Sequence, residues 1–238
     1  MPGGQITSNG NRGNMIKQFL KSQISAGLLS AIRNVGREII ILRKHHKGLH
    51  QASKIVGQNH LRLHLGCGPK VKHGWINIDL SSQADITLDM REPLPFLENS
   101  CAIIYSEHFL EHLDYPMQTH LFLKECYRVL EPGGVFSVGV PDTEWPIAEY
   151  AGLSTEGYFH IAKERWHPAW CQTEMEHINY HFFQGDEHRF AYDFKTLSNA
   201  LTRASFQKVQ RRAFDEDLDS VDRKLGTLYV NACKPEAQ

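Results

Sequence analysis

The first chemistry legible in this chain is a glycine-bearing turn followed by a carboxylate. Gly66-Cys67-Gly68 comes directly after the apolar run Leu61, Leu63, Leu65, and Asp79 closes a second apolar run, Trp75–Ile78. Without a Cβ, the backbone at Gly66 and Gly68 can adopt positive φ and approach a ligand closely. A carboxylate at the end of a strand accepts two hydrogen bonds from a ribose diol. The pattern suits a nucleotide-type ligand, and two kinds compete. A dinucleotide site needs a third glycine for close packing of strand and helix beside the pyrophosphate. Val71 stands at that position here, with Pro69-Lys70 intervening. S-adenosylmethionine needs the close backbone approach and the ribose carboxylate but carries no phosphate, and it fits the residues better. A tight turn that binds nothing is the plain alternative, and the residues downstream decide.

The other reactive residues are histidines, of which there are 14. Histidine is the usual general base near neutral pH. His108 is best placed, just beyond an apolar run. His112 follows one helical turn later and reads equally as a capping or core residue. His181 and His188 lie in an aromatic-rich stretch from which they can reach a substrate. His177 and His181 stand four apart with Asp186 and His188 nearby, a spacing open to metal binding. His45, His46 and His50 offer only adventitious ligation. No fixed ligand set is visible, and no metal is expected.

The elements that must position these residues follow from the hydrophobic pattern. Strands are expected at Leu61–Leu65, Trp75–Ile78, Ala84–Leu88, Cys101–Tyr105, Val135–Val140, Phe206–Arg212 and Thr227–Ala232, the last two as an antiparallel hairpin. Helices are expected at Tyr115–Leu130, stopped by Glu131-Pro132-Gly133-Gly134, and at Phe194–Ala204, capped by Asp193. Strands alternating with helical or looped segments predict a mostly parallel sheet. The second and third strands are too close in sequence for a helical crossover, so either a bare loop makes the crossing or the third strand is incomplete. Residues 144–192 read as helices and loops inserted above the carboxyl ends of the strands, like a lid. Their aromatic residues Trp145, Tyr150, Tyr158, Phe159, Trp166 and Trp170 suit an acceptor pocket and a plain core equally.

The first 60 residues differ in kind. They carry nine Lys/Arg against the single acid Glu38, whereas the rest of the chain is acidic. Residues 1–14 are Gly/Asn-rich and expected to be disordered. Apolar residues then recur at helical spacing from Met15 to Leu42, among basic ones, with Gly27 and Gly36 as breaks. Such a helix docks on its own domain, self-associates or lies on an anionic membrane. Residues 45–60 read as a polar linker. The expected organisation is thus an arm over 1–60 and a domain over 61–238. The five cysteines, Cys67, Cys101, Cys126, Cys171 and Cys233, form no C-x-x-C pair and point to reduced thiols and a cytoplasmic setting. Neither a signal peptide nor a membrane span is expected.

LHLGCGPK, GWINID, LD, LPF, IIYSEHFLEHL, YRVLEPGG and FSVGVPD occur in that order and at even spacing. This series resembles the class I S-adenosylmethionine-dependent methyltransferases, closest to small bacterial types with LPF…EHxLEH…RVLKPGG motifs. The resemblance is strong over Leu61–Asp142 and weaker over His188–Phe206. It implies a Rossmann-like fold with a seven-stranded sheet flanked by helices, S-adenosylmethionine as cofactor, and methylation of an oxygen, less readily a nitrogen. Gly66, Cys67 and Gly68 would lie under the methionine part, Asp79 and Leu80 at the ribose, Asp89 and Met90 at the adenine, and Ser106, Glu107 and His108 near the transferable methyl. His64 replaces the family's usual acid, and Lys70 replaces a small residue. These departures and the charged arm keep open a second reading, a weakly active or inactive interaction module. The acidic body argues against nucleic acid as acceptor and leaves a small molecule or a sugar.

Overall fold

The computed structural model describes residues 25–236. The expectations for residues 1–14, and for the start of the amphipathic pattern, lie outside the described residues. The chain divides into two compact units, residues 1–43 and 44–238. Within the first, helix α1 (Ala26–Ala52) begins and exposes Leu28, Ile32, Val35, Ile39 and Leu42. None of the described helices is long and apolar enough to cross a membrane.

The second unit is built on seven strands: β1 (Leu61–Leu65), β2 (Ile76–Asp79), β3 (Ile86–Thr87), β4 (Cys101–Glu107), β5 (Leu130–Pro141), β6 (Gln207–Arg211) and β7 (Thr227–Cys233). They form one sheet in the order β3-β2-β1-β4-β5-β7-β6. All neighbouring pairs are parallel except those of β7, which runs antiparallel to both β5 and β6. Strand β1 has β2 on one side and β4 on the other, so the winding reverses there. The crevice outside the carboxyl ends of β1 and β4 is the switch point at which such sheets bind ligands. Both faces are covered, as a parallel sheet requires. Leu63, Leu65, Ile78, Ile104, Phe136 and Val138 are fully buried with residues of α2 (Met117–Val129) and α6 (Phe194–Arg203). Asp193 caps α6 through a bond from the Thr196 amide, 2.7 Å.

Three local features depart from the pattern expected of the sequence. Helix α2 ends at Val129 because Leu130 turns extended. Glu131-Pro132-Gly133-Gly134 therefore belongs to the start of β5, and the left-handed Gly133 (φ +79°) marks an irregularity there rather than a helix cap. Strand β3 is two residues long and joins β2 through a bare loop, so both suspicions about this crossing hold. The stretch read as a linker from His45 is helical to Ala52 and docked. Gln51 accepts from the Thr87 amide (3.1 Å) and donates to Asp85 O (3.0 Å), while Lys44 Nζ donates to Leu80 O (2.7 Å). The sequence showed only polarity here, and these side chains bond to backbone that β3 leaves unpaired. Nor does Gly36 break the helix.

Gly48 makes this docking close: a Cβ there would land on the Thr87 carbonyl. Gly48→Ala should therefore destabilise the domain by about 1–3 kcal/mol, as overpacking does, although Ala favours an exposed helix by ~1 kcal/mol. Thermal denaturation reads the sign directly.

The insertion is helical, with α3 (Glu144–Tyr150), α4 (Tyr158–Arg165) and α5 (Glu174–Phe183). Tyr158, Phe159, Ala162 and Ile178 form a small core of their own, with Trp145 and Trp166 against it. Most of the aromatic cluster is thus packing, while Trp170 and Tyr150 are exposed.

Candidate active site

The glycine turn sits at the carboxyl end of β1, where the Gly66 and Cys67 amides both donate to Ile78 O (2.9 and 3.3 Å). Gly66 (φ +70°) packs so closely on Phe109 that a Cβ would lie 2.5 Å from it. Gly68 (φ +51°) is different, since nothing lies within 4 Å of where its Cβ would be. One glycine is needed for the fold and the other leaves room for a ligand. Asp79 ends β2 directly opposite. Its Oδ2 accepts from the Gly68 amide (3.0 Å) and its Oδ1 from the Ser81 amide (2.7 Å). The carboxylate that the resemblance places at the ribose thus also fixes the turn. Cys67 is buried, and burial, helped by Asp79, pushes its thiol up to about 12, so it is an inert packing group.

His64 is 3% exposed, and its Nδ1 bonds to Asn77 Oδ1 at 3.1 Å. Its ring packs on Tyr105, so its visible role is structural. Leu80 is half-buried and Met90 is buried. Asp89 is buried and gripped by Arg91, with Nη2 donating to Oδ2 at 2.7 Å. Burial opposes ionisation of this carboxyl, but the Arg91 bonds outweigh it and hold the group below the usual carboxylate range. Ser106 is fully buried, and its hydroxyl has no partner among the described residues. Glu107 is saturated: it accepts from the Ser220 amide and hydroxyl, Arg223 and Tyr229. Its partners come from the segment after β6, which also reaches the glycine loop through a Lys70–Asp222 ion pair and a Lys72 bond to Leu218 O.

His64 makes stability depend on pH. Burial lowers it to about 4, with the Asn77 bond opposing. An unfolded histidine titrates near ~6.5. Between these values the unfolded chain binds the extra proton, so stability falls as pH drops through that window and is fully present above it. Wild type should lose about 2–3 kcal/mol more than His64→Gln between pH 7 and 4.5. Urea midpoints at the two pH values measure this.

Beyond β4 the chain enters a left-handed residue, His108 (φ +52°), a conformation uncommon outside glycine in which asparagine, aspartate and histidine are enriched. Its Nε2 lies 2.8 Å from Thr227 Oγ1. Burial lowers its pKa well below the ordinary value, and Arg223 and the neighbouring histidines add to this. Burial likewise lowers His181 to about 3 and His188 to about 4. Sequence reasoning nominated these three from different segments, and the structure gathers them around one group it did not nominate. Glu111, in the turn Leu110–His112, is 1% exposed, and burial pushes its carboxyl up to about 8. The signal was in the sequence as an acid set among Phe109, Leu110 and Leu113, inside the quoted EHFLEHL.

An open cleft of about 590 Å³ lies at the carboxyl end of β5, lined by Asp142, Glu144, Trp145, Glu156, Lys224 and Gly226 among others. Gly226 adjoins Thr227, the partner of His108.

The family described as "Methyltransferase domain" matches residues 80–138, which include β3, β4 and α2 but begin after the glycine turn. No protein of curated function matches the chain. Among solved structures it is similar to a SAM-dependent methyltransferase from Archaeoglobus fulgidus (18% identity, 83% of this chain and 94% of that one, TM-score 0.48). It is also similar to one from Thermotoga maritima (16%, 85% and 96%, 0.41). A third is Haemonchus contortus phosphoethanolamine N-methyltransferase 2 in complex with S-adenosyl-L-methionine (12%, 80% and 53%, 0.44). The glycine turn, the open space at Gly68 and the Asp79 carboxylate fit S-adenosylmethionine, the cofactor of this family. Residues 80–138 match a methyltransferase domain, and the mostly parallel seven-stranded sheet in the order β3-β2-β1-β4-β5-β7-β6 supports a Rossmann-like methyltransferase fold.

Proposed function

We propose that the protein transfers the methyl group of S-adenosylmethionine to a hydroxyl oxygen of a small polar acceptor, a sugar or a related polyol. The observation that carries this reading is the placement of His108. It stands at the carboxyl end of β4, beside the switch point, and its partner Thr227 adjoins the open cleft. Bound S-adenosylmethionine supplies an electrophilic methyl on sulfur. Gly66, Cys67 and Gly68 would hold its methionine part, Asp79 and Leu80 its ribose, and Asp89 and Met90 its adenine. Ser106, with a hydroxyl that has no partner among the described residues, would face the reacting end.

Methyl transfer is an in-line displacement, and positioning accounts for most of the acceleration, about 7–11 kcal/mol in well-oriented systems. A neutral imidazole at His108 accepts the hydroxyl proton. His181 and His188 are also neutral at physiological pH, but their Nδ1 atoms are engaged by the Tyr158 hydroxyl and the His181 carbonyl, respectively. The cleft is lined by the Trp145 indole and by the carboxylates of Asp142, Glu144 and Glu156, groups suited to the face and hydroxyls of a sugar ring.

Calorimetric titration with S-adenosylmethionine and S-adenosylhomocysteine tests the cofactor half of this reading, and micromolar binding of both is expected. A panel of sugars, polyols and amines, assayed for methyl transfer, tests the acceptor half. His108→Gln should lower turnover about 100-fold with cofactor affinity retained. Turnover only on amines would overturn the oxygen assignment.

A further inference from the structure

The Glu111 carboxylate is fully enclosed, and neither oxygen receives a hydrogen bond from the described residues. A buried carboxylate without a donor is costly unless it is protonated or faces a cation. Imidazole nitrogens stand around it, and His108 Nδ1 lies 3.9 Å from Glu111 Oε1. His112 Nε2 is 4.0 Å from Glu111 Oε1. The His188 ring stands edge-on to that of His112, with centroids 5.1 Å apart. One ligand atom from each of Glu111, His112 and His188 falls within 4.8 Å of the others.

The outer side of each imidazole fixes its tautomer. His112 Nδ1 bonds to Glu187 O at 2.9 Å, and His188 Nδ1 bonds to His181 O at 3.1 Å. A carbonyl only accepts, so each Nδ1 carries the proton and each Nε2 keeps a lone pair. This is how metal-bound histidines are held, one nitrogen on a backbone carbonyl and the other on the ion. The backbone also fixes the spacing of the two segments, because the Arg189 and Phe190 amides both donate to Glu111 O (2.7 and 3.3 Å). His181 Nε2 is buried without a partner and lines the same small cavity as Glu111 and His188.

We propose that Glu111, His112 and His188 bind a first-row divalent metal ion of the zinc class. Two imidazoles and a carboxylate are a ligand set for zinc, iron or nickel rather than for magnesium or calcium, which prefer oxygen throughout. His181 Nε2 lines the same cavity but lies outside this group of three. The ion would tie the end of the insertion to the turn after β4. A second group, His167, Cys171 and His177, has similar spacing. There the two Nδ1 atoms lie 2.8 Å apart and bond to each other, and no buried carboxylate is left without a donor. The Glu111 group is therefore the better site. The proposal does not depend on the acceptor or the base assigned above.

The test uses the full chain, stripped with a chelator and titrated with Zn²⁺ by calorimetry, with Co²⁺ absorption as a report on the ligands. One Zn²⁺ per chain is expected, with a visible Co²⁺ spectrum lacking strong thiolate charge transfer and a rise in Tm on Zn²⁺ addition. Glu111→Gln and His188→Ala should each weaken binding about 100-fold or more, and Cys171→Ser should leave it unchanged. If His188→Ala does not fold, the part-exposed His112→Ala decides in its place. Absence of Zn²⁺ binding by stripped protein with a folded circular dichroism spectrum would overturn the proposal. So would binding that survives Glu111→Gln and His112→Ala, or that disappears in Cys171→Ser.

Discussion

Replacing Asp79 by alanine is expected to raise the Kd for S-adenosylmethionine about 100-fold, from the energetics of charge-assisted hydrogen bonds at ~1.5–3 kcal/mol each. The side chain has two tasks. It would accept from the ribose hydroxyls, and it already accepts from the Gly68 and Ser81 amides, which sets the shape of the turn. Its removal takes away a ligand contact and loosens the cradle together. Asp79→Asn keeps one acceptor oxygen and should fall between wild type and alanine. Calorimetry on both variants, with circular dichroism to confirm folding, gives the answer. A Kd within threefold of wild type for Asp79→Ala would remove this carboxylate from the cofactor site.

The second large effect concerns stability. Arg212 and Asp219 form a bidentate pair at 2.5 and 2.6 Å, with side chains 12% and 0% exposed. Asp219 also accepts from Tyr105 and from the Asp215 amide, and Arg212 donates to Ser137 and lies over the Tyr229 ring. Breaking a buried pair by removing one partner costs about 3–5 kcal/mol, because the other charge is left uncompensated. Arg212→Met should therefore lower Tm by roughly 6–20 °C, at ~2–4 °C per kcal/mol for a domain of this size. Arg212→Met combined with Asp219→Leu should be markedly milder than Arg212→Met alone, since no charge is stranded. Thermal scans of the three proteins separate the cost of the stranded charge from the net worth of the pair. Equal losses in the single and double variants would show that the segment depends on shape rather than charge.

Much of this architecture was legible before any coordinates. Period-two apolar runs closed by Gly66, Asp79 and Pro141-Asp142 announced a mostly parallel sheet, and the sheet has the seven strands expected. The Asp193 cap and the antiparallel closing pair were also visible, because both depend on local residue types. Features set by tertiary contact were hidden. Lys44 and Gln51 look like linker residues until one sees the unpaired backbone they satisfy. Glu107 and Glu111 stand four apart in one motif, yet one carboxylate is saturated by donors more than a hundred residues away and the other receives none from the described residues. Burial of His64 depends on Asn77 and Tyr105 closing around it, which its neighbours in sequence do not reveal. Histidines are too numerous here for type alone to single out three, and only the fold brings His108, His181 and His188 together.

The docking of Lys44–Ala52 on β3 bears on how this protein can be shortened. Strand β3 is the outermost strand on its side of the sheet, and its outward amide at Thr87 is answered by Gln51 alone. A version trimmed to begin near residue 60 would keep every strand and every proposed cofactor contact. It would also leave that edge bare, and bare edges recruit strands from other molecules. Aggregation of such a fragment would then report a missing edge cover, not a failure of the catalytic fold, and a fragment beginning at Lys44 should stay dispersed.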